Sequence, residues 1–513
     1  MDFTRKLPIG IQDFEKLRTN GFLYVDKTEY LYRMVNEGTV YFLGRPRRFG
    51  KSLLLSTLKA YFEGKRELFE GLVIEKFERN WTPRPVIHID FNSVSCSDFT
   101  KFETSLSDMV YQLEEEWGRS EGENTPASRF LGVIRRAAEN AGQKAVVLID
   151  EYDKPLLAHI EAGQVQEDIR AALKSFYGVL KSADTWLQFV LLTGVTRFSK
   201  VSVFSDLNQL RDISMSESYS GLCGITEEEL TALFDPELRS LGEKYGLTYE
   251  ETLAAMRENY NGYCFALGAA TVYNPFSVLN TFADKSFRYY WYQTGTPTFL
   301  VKMIREQSID ITTFISGITL EPEHLTDYRF SGGSPIPVLY QAGYLTIKGG
   351  DDRERLYTLG FPNGEVKYGF LDNLLECYLE NPGDMLKFHV RNFAGDLAKG
   401  NIDGFMERLG TLLAHIPYSA KAGAMEYTFQ SIVYVVCLLM GQFAQVEPYS
   451  AKGRADLVVA TADTVYAFEF KAVKDASESR LDEALAQIAS RGYLDPWRAS
   501  GKRLVSVAAD YDL

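Results

Sequence analysis

Short, almost uninterrupted apolar runs alternate with amphipathic segments over the first 225 residues. Strands covered on both faces show such runs, and the crossover helices between parallel strands carry one apolar face. The pattern therefore predicts an α/β domain with a parallel sheet and flanking helices. The predicted strands are Val40 to Leu43, Pro85 to Phe91, Ala145 to Ile149 and Gln188 to Thr193.

The pattern becomes helical after residue 225, where Thr226 and Glu229 have the spacing of a capping box at a helix start. Between about 335 and 385, the pattern predicts a helix, a strand, a charged turn and a second strand. A winged helix and a helical lid with a hairpin both fit this order.

Helical segments continue from about residue 390 and precede an alternating stretch, 454–473, that predicts a β-hairpin. The chain has 513 residues, more than one hydrophobic core organises, so we predict several domains. No internal repeat or low-complexity linker marks their limits. The predicted domains are an N-terminal α/β domain at 1–225, a helical region with the winged-helix candidate at 226–388, and a C-terminal α/β domain at 389–513.

The formal net charge of −14 opposes a long-range attraction between the whole protein and nucleic acid, although local basic patches remain compatible with it. The five cysteines are scattered and never spaced as CxxC, which fits a reducing compartment and excludes a zinc ribbon. The N-terminal sequence lacks the apolar core of a signal peptide, and the longest apolar run, 432–440, is about half a membrane span. We therefore predict a cytoplasmic protein with no membrane partner.

The stretch "YFLGRPRRFGKSLLLSTLKAYF", residues 41–62, passes from a strand through a tight loop into a helix. A loop that ends in Gly50, Lys51 and Ser52 presents backbone N–H groups and a helix N-terminus to one anion. Lys51 would contact the β- and γ-phosphates, and the Ser52 hydroxyl would bind Mg²⁺. The loop therefore predicts an ATP site.

The loop departs from the usual motif at one position. The first glycine is expected five residues before Gly50, where this chain has Arg45, and the nearest glycine is Gly44. Arg45 and its neighbours Arg47 and Arg48 either add positive charge around the phosphates or are solvated loop residues.

A second apolar strand ends in carboxylates, within "KAVVLIDEYDKPL" at 144–156. Mg²⁺ beside phosphates requires hard oxygen ligands, which Asp150 supplies, and Glu151 is suited to orient and deprotonate the attacking water. The alternative is an ordinary buried strand that meets an acidic loop. The order of the two motifs along the chain favours ATP binding and hydrolysis.

A further strand ends in "LLTGVTRFSK" at 191–200. Thr193 could sense the γ-phosphate, and Arg197 could neutralise charge in the transition state. Either residue could equally be a helix cap or a surface residue. Upstream, Tyr24 or Lys27 could cover the adenine face.

The C-terminal hairpin predicts a pair of carboxylates. A two-residue turn at Ala462 and Asp463 places Asp456 directly opposite Glu469, with Cβ atoms roughly 4.5–5.5 Å apart. Lys471 projects from the same face as Glu469. Two carboxylates this close are unfavourable without a cation, so the pair predicts a Mg²⁺ or Mn²⁺ site. Lys471 could then activate water for phosphodiester cleavage.

The alternative is a polar hairpin face with a chance Glu-x-Lys pair. The other face favours a functional strand, because it is anchored by the aromatic residues Tyr466, Phe468 and Phe470. Glu426 could add a third metal-binding carboxylate. Residues that could line the same cleft are Gln487 and Tyr493. Basic residues do not outnumber acidic ones after residue 390, which weakens a hypothesis of tight nucleic-acid binding.

These segments carry a family resemblance. "LPIGIQDFEKLRTNGFLYVDKT", "FLGRPRRFGKSL", "VLIDEYDKPL" and "TGVTRFSKVSVFSDLNQLRDISM" resemble the AAA-ATPase-like family common in bacteria, and "GRADLVV", "FEFK" and "ALAQIASRGY" resemble the PD-(D/E)XK nuclease superfamily. The resemblance implies a P-loop NTPase fold followed by a nuclease-like α/β domain. For the first domain it implies that nucleotide binding, Mg²⁺ binding and catalysis are shared among Lys51, Ser52, Asp150 and Glu151. For the second it implies a nuclease core of Asp456, Glu469 and Lys471. Ala455 stands where the superfamily name has Pro.

Two functional hypotheses follow. The first is an ATP-dependent enzyme whose P-loop domain controls a Mg²⁺- or Mn²⁺-dependent nuclease that acts on DNA or RNA. The second, favoured by the acidic charge, is a nucleotide-controlled switch whose C-terminal domain binds a partner or nucleic acid without cutting. The complete set of Lys51, Asp150 and Glu151 argues against a third hypothesis, a scaffold with two inactive sites. An oligomer is conceivable, but no residue predicts one.

Overall fold

The computed structural model describes most of the chain, which forms two compact units. The described residues are 5–159, 163–197, 204, 207–294, 314, 317–326, 334–378, 386–414, 432–440, 447–449, 457–473 and 479–512. The first unit combines Met1–Thr294 with Gly317–Glu365, and the second combines Gly295–Ser316 with Val366–Leu513. The division into three domains at 225 and 388 stays a prediction.

The first unit contains a parallel sheet. Its strands are β1 (Val40–Gly44), β2 (Val86–Asp90), β3 (Ala145–Asp150), β4 (Leu187–Gly194) and β5 (Arg211–Asp212). They lie in the order β2, β3, β4, β1, β5. The four predicted strands are confirmed as β1 to β4, whereas the two-residue β5 was not predicted. Every residue of β3 is buried, as expected for a strand covered on both faces.

Helices flank this sheet, and local signals define their ends. The helix Pro126–Ala141 begins after a capping box at Thr125 and ends at Gly142, whose φ of 61° a residue without Cβ adopts without strain. The helices up to β4 are Phe14–Thr19, Thr28–Glu37, Lys51–Phe62, Phe99–Trp117, Pro126–Ala141, Lys154–Leu157 and Gly163–Ser182. Single 3₁₀ turns along the chain lie at Arg66–Phe69, Val73–Lys76, Phe91–Ser93, Asp184–Trp186, Glu217–Tyr219, Tyr292–Thr294 and Asp495–Trp497.

The strand order brings the predicted nucleotide motifs to one edge. Because β4 lies between β1 and β3 and all three are parallel, their carboxyl ends meet side by side. Leu43 of β1 pairs with Thr193 of β4, and the Thr193 hydroxyl in turn contacts Asp150 of β3. The end of β1, which leads into the predicted phosphate loop, is therefore separated from the Asp150 carboxylate of β3 by one strand, β4.

The rest of the first unit is helical, with a small antiparallel sheet. The capping box of Thr226 and Glu229 is confirmed at the start of Glu227–Leu233. The remaining helices are Asp235–Tyr245, Tyr249–Tyr260, Pro275–Asp284, Glu323–Thr326 and Ile336–Ala342. The strands are β6 (Ile318–Leu320), β7 (Thr346–Asp351) and β8 (Leu356–Gly360), in the order β6, β8, β7. The predicted order of helix, strand, turn and strand is confirmed by Ile336–Ala342, β7 and β8, and β6 adds a third strand.

The second unit is an α/β arrangement around a mixed sheet. Its strands are β9 (Glu447–Tyr449), β10 (Leu457–Ala460), β11 (Thr464–Val473) and β12 (Arg503–Asp512), in the order β12, β11, β10, β9. Its helices are Gly364–Tyr378, which begins in the first unit, Leu386–Lys399, Ile402–Leu413, 432–440 and Leu481–Arg491. None of the helices in the described ranges has both the length and the apolar character needed to cross a bilayer.

The predicted hairpin register is confirmed between β10 and β11. Leu457 pairs with Phe468 and Ala460 pairs with Val465, which centres the turn on Ala462 and Asp463. The predicted aromatic face is also buried. Phe468 lies between Tyr466 and Phe470, with ring centroids 6.2 and 6.1 Å away, and contacts the ring of Phe405 at 5.4 Å.

We expect Phe468→Ala to lower the free energy of unfolding of the second unit by about 3–5 kcal/mol, because it leaves a cavity among these rings. Leu485→Ala, at a 42 % exposed position of Leu481–Arg491, is the matched control and should change it by less than about 0.5 kcal/mol. Hydrogen exchange of peptides from 457–473 measures the change in stability of both variants. Equal protection in the two variants would show that the aromatic face is not the anchor of β11.

Candidate nucleotide and nuclease sites

The phosphate loop joins β1 to the helix Lys51–Phe62. Gly50 is the N-cap of that helix, and its left-handed φ of 92° favours glycine. No side chain caps the first helical turn, so its backbone N–H groups stay available to an anion. Ser52 lies in this first turn, where its hydroxyl can join a bound phosphate and Mg²⁺. This backbone geometry fits a nucleotide phosphate.

Lys51 is buried and points back into the loop. Its ammonium donates to the carbonyl oxygens of Arg45 and Pro46 at 3.1 and 3.2 Å. The Nζ atom also lies 4.0 Å from Oε1 of Glu151, so the residues predicted to bind phosphate and to activate water are brought together. A phosphate at this place would offer Lys51 a charged acceptor in exchange for two neutral carbonyls.

Arg45 and Phe49 hold the loop from behind, a role that the sequence did not predict. The Arg45 guanidinium stacks 4.0 Å from the ring centroid of Phe265. It donates to the carbonyls of Ser214 at 2.7 Å and Tyr219 at 3.0 Å. Phe49 is also buried; the rings around it belong to Tyr263, at 4.8 Å, and Phe265, at 5.6 Å. Arg45 therefore packs in the interior and is neither a phosphate ligand nor a solvated residue.

Asp150 ends β3 with its carboxylate held in place. Its Oδ1 accepts from the Thr193 hydroxyl at 2.6 Å and from the Glu151 backbone N–H at 3.0 Å. Thr193 is fully buried, and this hydroxyl orients Asp150. Direct sensing of a γ-phosphate by Thr193 stays a prediction.

Glu151 has a backbone conformation that is unusual outside glycine, with φ of 51°. Burial raises the pKa of its carboxyl, while the nearby Lys51 ammonium opposes that shift. A carboxyl with a raised pKa accepts a proton more readily, which suits the predicted role in water activation.

Asp153 was missed by the sequence analysis, although it lies in the same segment as Asp150. It is fully buried, and its Oδ2 accepts from the Val195 N–H at 3.0 Å, the Thr196 N–H at 2.6 Å and the Thr196 hydroxyl at 2.7 Å. A Cβ on Gly194 would lie 2.5 Å from Asp153 Oδ1, so glycine is needed there. Asp153 thus links the turn after β3 to the loop after β4 by hydrogen bonds.

Arg197 directly follows Val195 and Thr196 in the loop after β4. Its guanidinium lies 2.6 Å from the carboxylate of Asp212, and its backbone N–H donates to Gln341 at 2.7 Å. These three residues line a small second cavity, which Gly44 and Pro46 at the start of the phosphate loop also line. The predicted transition-state role of Arg197 would require this ion pair to open, and it stays a prediction.

A cavity of about 680 Å³ lies beside the phosphate loop. Its size is in the range of about 300–1,000 Å³ typical of small-molecule sites. The polar lining comes from the loop and the strand ends: Arg47, Lys51, Ser52, Asp90 and Glu151. The apolar lining includes Ile9, Leu23, Val25, Ile225, Phe276 and Leu279. Phosphates and a purine together require both kinds of surface.

The two residues predicted near the adenine both line this cavity. Lys27 is engaged elsewhere, since its ammonium lies 2.6 Å from both carboxylate oxygens of Glu229 and donates to the carbonyl of Gly221 at 2.8 Å. Tyr24 packs edge-on against Phe14, with ring centroids 5.2 Å apart. Of the two, Tyr24 is better suited to contact a base.

The second unit brings Glu469 and Lys471 together on β11. The Lys471 ammonium lies 3.1 Å from Glu469 Oε1 and donates to Gln487 Oε1 at 2.7 Å. The Gln487 amide then donates to the Tyr493 hydroxyl at 3.3 Å. Gln487 and Tyr493 therefore lie beside Lys471, and their lining of the predicted metal cleft stays a prediction.

One carboxylate oxygen of Glu469 has no partner in the described part of the chain. The residue is 2 % exposed, and its Oε2 has no hydrogen-bond partner among the described residues. A buried carboxylate oxygen without a donor is costly, and a cation would satisfy it. Asp456 and Glu426, the other predicted metal ligands, lie outside the described residues. Within the described residues, no three His, Cys, Asp or Glu side chains form a metal-binding group.

Comparisons with known proteins agree with these two sites. Residues 8–204 match the AAA-ATPase-like family, described as "Predicted AAA-ATPase". Residues 424–512 match the PD-(D/E)XK nuclease superfamily. The first match contains the phosphate loop and the β3 carboxylates, and the second contains Glu469 and Lys471.

A curated relative is similar over nearly the whole chain. It is described as "Uncharacterized protein in vnfD 5′region" of Azotobacter chroococcum mcd 1, is 35 % identical, and the match covers 99 % of this chain and 96 % of that protein. Among solved structures, the ORC2 protein of Aeropyrum pernix, in ADPNP–ADP complexes, matches at 11 % identity and a TM-score of 0.27. That match covers 68 % of this chain and 92 % of the other, and its TM-score is too low to support an inference.

We expect Asp153→Ala to lower the free energy of unfolding by about 3 kcal/mol, because three buried donors lose their acceptor. Asp153→Asn, whose amide oxygen can still accept from them, should cost clearly less. Asp184→Ala removes an exposed carboxylate of the same unit and serves as the control. Urea denaturation compares the three variants, and equal midpoints for Asp153→Ala and Asp184→Ala would contradict the role assigned to Asp153.

Proposed function

Because this chain belongs to the AAA-ATPase-like family and carries a PD-(D/E)XK nuclease superfamily domain, we propose that it binds and hydrolyses ATP and uses the nucleotide to control a metal-dependent nuclease. The observation that carries the proposal is the cavity at the phosphate loop. Lys51, Ser52 and Glu151 line it together with an apolar surface suited to a purine. The proposed substrate of the second unit is DNA or RNA.

In the first unit, Lys51 would bind the β- and γ-phosphates in exchange for the loop carbonyls it now contacts. Ser52 and Asp150 would hold Mg²⁺, which when bound supplies charge neutralisation at the phosphate oxygens. Glu151 would accept the proton of the attacking water. Thr193 would keep the Asp150 carboxylate in its orientation through their 2.6 Å hydrogen bond.

In the second unit, Glu469 Oε2 would bind Mg²⁺ or Mn²⁺, together with Asp456 and with Glu426 as a third carboxylate. The buried and unsatisfied state of that oxygen supports this assignment. Lys471, held by Glu469 and Gln487, would orient or activate the water that attacks the phosphodiester. Gln487 and Tyr493 would hold Lys471 in place.

A nucleotide-controlled switch is the second candidate. One observation favours it: the chain has a net charge of −14, which opposes the binding of a polyanion. In a switch, the second unit would bind a partner or nucleic acid without cutting it, and ATP would still bind at Lys51. The two candidates share the first unit and differ only in whether Glu469 and Lys471 perform chemistry.

We expect Lys51→Ala to weaken ATP binding by roughly 10- to 100-fold, the effect of losing charge-assisted contacts to phosphate. Glu151→Gln should bind ATP normally and slow phosphate release by roughly 10²- to 10⁴-fold, as the loss of a general base does. Lys59→Ala, at a half-buried position of the same helix where the side chain is 44 % exposed, is the matched control. Titration with a fluorescent ATP analogue and a phosphate-release assay measure both effects, and unchanged binding in Lys51→Ala would refute the ATP site.

We expect cleavage of labelled single- or double-stranded DNA or RNA with Mg²⁺ or Mn²⁺ to fall at least about 100-fold in Glu469→Gln and in Lys471→Ala. The first variant loses the buried metal-binding oxygen, and the second loses the amine that serves the attacking water. Glu483→Gln changes an exposed carboxylate of the same unit and should cut normally. The assay is run with and without ATP. If the wild type cuts nothing while its ATP turnover depends on Lys51, the switch replaces the nuclease.

A further inference from the structure

The phosphate loop makes a hydrogen bond to a residue far away in the sequence. The indole N–H of Trp291 donates to the carbonyl oxygen of Arg47 at 2.9 Å, across 244 positions of the chain. Trp291 is buried, and its ring lies 5.4 Å from that of Tyr344. Arg47 lines the nucleotide cavity, so Trp291 is hydrogen-bonded to a residue of that cavity.

Trp291 is bound in turn to a buried carboxylate. Its backbone N–H donates to Glu365 Oε1 at 2.7 Å, and the other oxygen of Glu365 accepts from the Ser277 hydroxyl at 2.6 Å. Burial raises the pKa of Glu365 to about 7, although hydrogen bonds from Ser277 and from backbone N–H groups oppose the shift. Glu365 therefore ties Trp291 to the helix Pro275–Asp284, which carries Ser277.

Two of the places where the chain leaves the first unit meet at Trp291. Thr294, the last residue before the chain enters the second unit, donates through its N–H and its hydroxyl to the Trp291 carbonyl at 3.0 and 2.7 Å. Thr294 also lines the nucleotide cavity. Glu365 is the last residue of the first unit before the chain leaves it again, within the helix Gly364–Tyr378.

Nucleotide binding would change the hydrogen bonds of the phosphate loop. Lys51 now holds the carbonyls of Arg45 and Pro46, and a phosphate would compete for the Lys51 ammonium. Peptide groups next to Arg47 are then free to turn toward the anion. If the Arg47 carbonyl turns with them, Trp291 either follows it or loses their hydrogen bond, and the two states of the loop then differ in energy at Trp291.

We propose that Trp291 and Glu365 couple the nucleotide state of the phosphate loop to the second unit. Trp291 responds to the loop through the Arg47 carbonyl, and Thr294 and Glu365 carry that response to the two chain exits. This inference rests on the ATP binding proposed above and names how that site regulates the rest of the chain. Both residues are positioning residues, since neither is required to touch the reacting atoms.

Hydrogen–deuterium exchange with and without ATP and Mg²⁺ tests the coupling in the full chain. In the wild type, ATP should slow exchange in peptides from 40–58 and change exchange in 366–378 and 457–473. In Trp291→Phe and in Glu365→Gln, the response at 40–58 should persist, while the response of the second unit should fall about fivefold or more. Trp186→Phe, in the 3₁₀ turn Asp184–Trp186, is the matched control and should respond like the wild type.

The double variant sharpens the test. If Trp291 and Glu365 act in one route, the double variant should lose no more of the second unit's exchange response to ATP than either single variant. Effects along a shared route are not additive. Titration with a fluorescent ATP analogue, run on the same proteins, should give dissociation constants within about tenfold of the wild type. If Glu365→Gln fails to fold by circular dichroism, Trp291→Phe alone decides.

The outcomes separate this inference from the proposed function. A wild type that binds no ATP overturns the proposed function and with it the coupling. A wild type that binds ATP without any response in the second unit overturns the coupling alone. A full response of the second unit in Trp291→Phe also overturns it, since the indole N–H is the proposed contact with the loop.

Discussion

A loop that binds phosphate through its backbone must leave its own N–H groups unpaired until the anion arrives. Its own turns cannot pair all of these groups, so the loop depends on contacts with the surrounding structure. In this protein the support is aromatic and cationic: Arg45 stacks on Phe265, Phe49 packs against Tyr263, and Trp291 donates to the Arg47 carbonyl. The packing of the helical part around the loop follows from this requirement.

The same requirement explains the irregular motif. A glycine in place of Arg45 would leave the carbonyls of Ser214 and Tyr219 without their guanidinium donor. Burial lowers the pKa of Arg45, and no carboxylate forms an ion pair with it in the described ranges. The side chain is held by carbonyl oxygens and a π face, which place its charge beside the segment after β5 and leave Lys51, Arg47 and Arg48 as the loop cations that line the nucleotide cavity.

Local periodicity predicted the elements that depend on local sequence. Strands β1 to β4, the capping box at Thr226 and the register of β10 with β11 depend on residues a few positions apart, and all are confirmed. The support of the loop and the role of Asp153 depend on partners more than forty positions away. A single sequence does not show which of its distant residues lie next to each other. Asp153 alone offered a signal, since it is a third carboxylate directly after a buried strand.

In both units a buried carboxylate uses one oxygen, while the other has no donor among the described residues, at Asp153 Oδ1 and Glu469 Oε2. Their surroundings differ in what can satisfy that oxygen. Asp153 has three donors on its other oxygen, as a structural clamp requires. Glu469 has one described donor, Lys471, whose ammonium is shared with Gln487.

The charges of the chain set different demands on the two sites. A single nucleotide can be matched by a few local groups, and Lys51, Arg47, Arg48 and an uncapped helix N-terminus supply them despite a net charge of −14. A polynucleotide presents a phosphate at every step and requires a continuous positive surface. Lys471 is the cation in contact with Glu469 among the described residues, and its ammonium already donates to Glu469 and Gln487. Cleavage of nucleic acid at Glu469 therefore needs positive charge from a metal ion, whereas recognition of a partner protein does not.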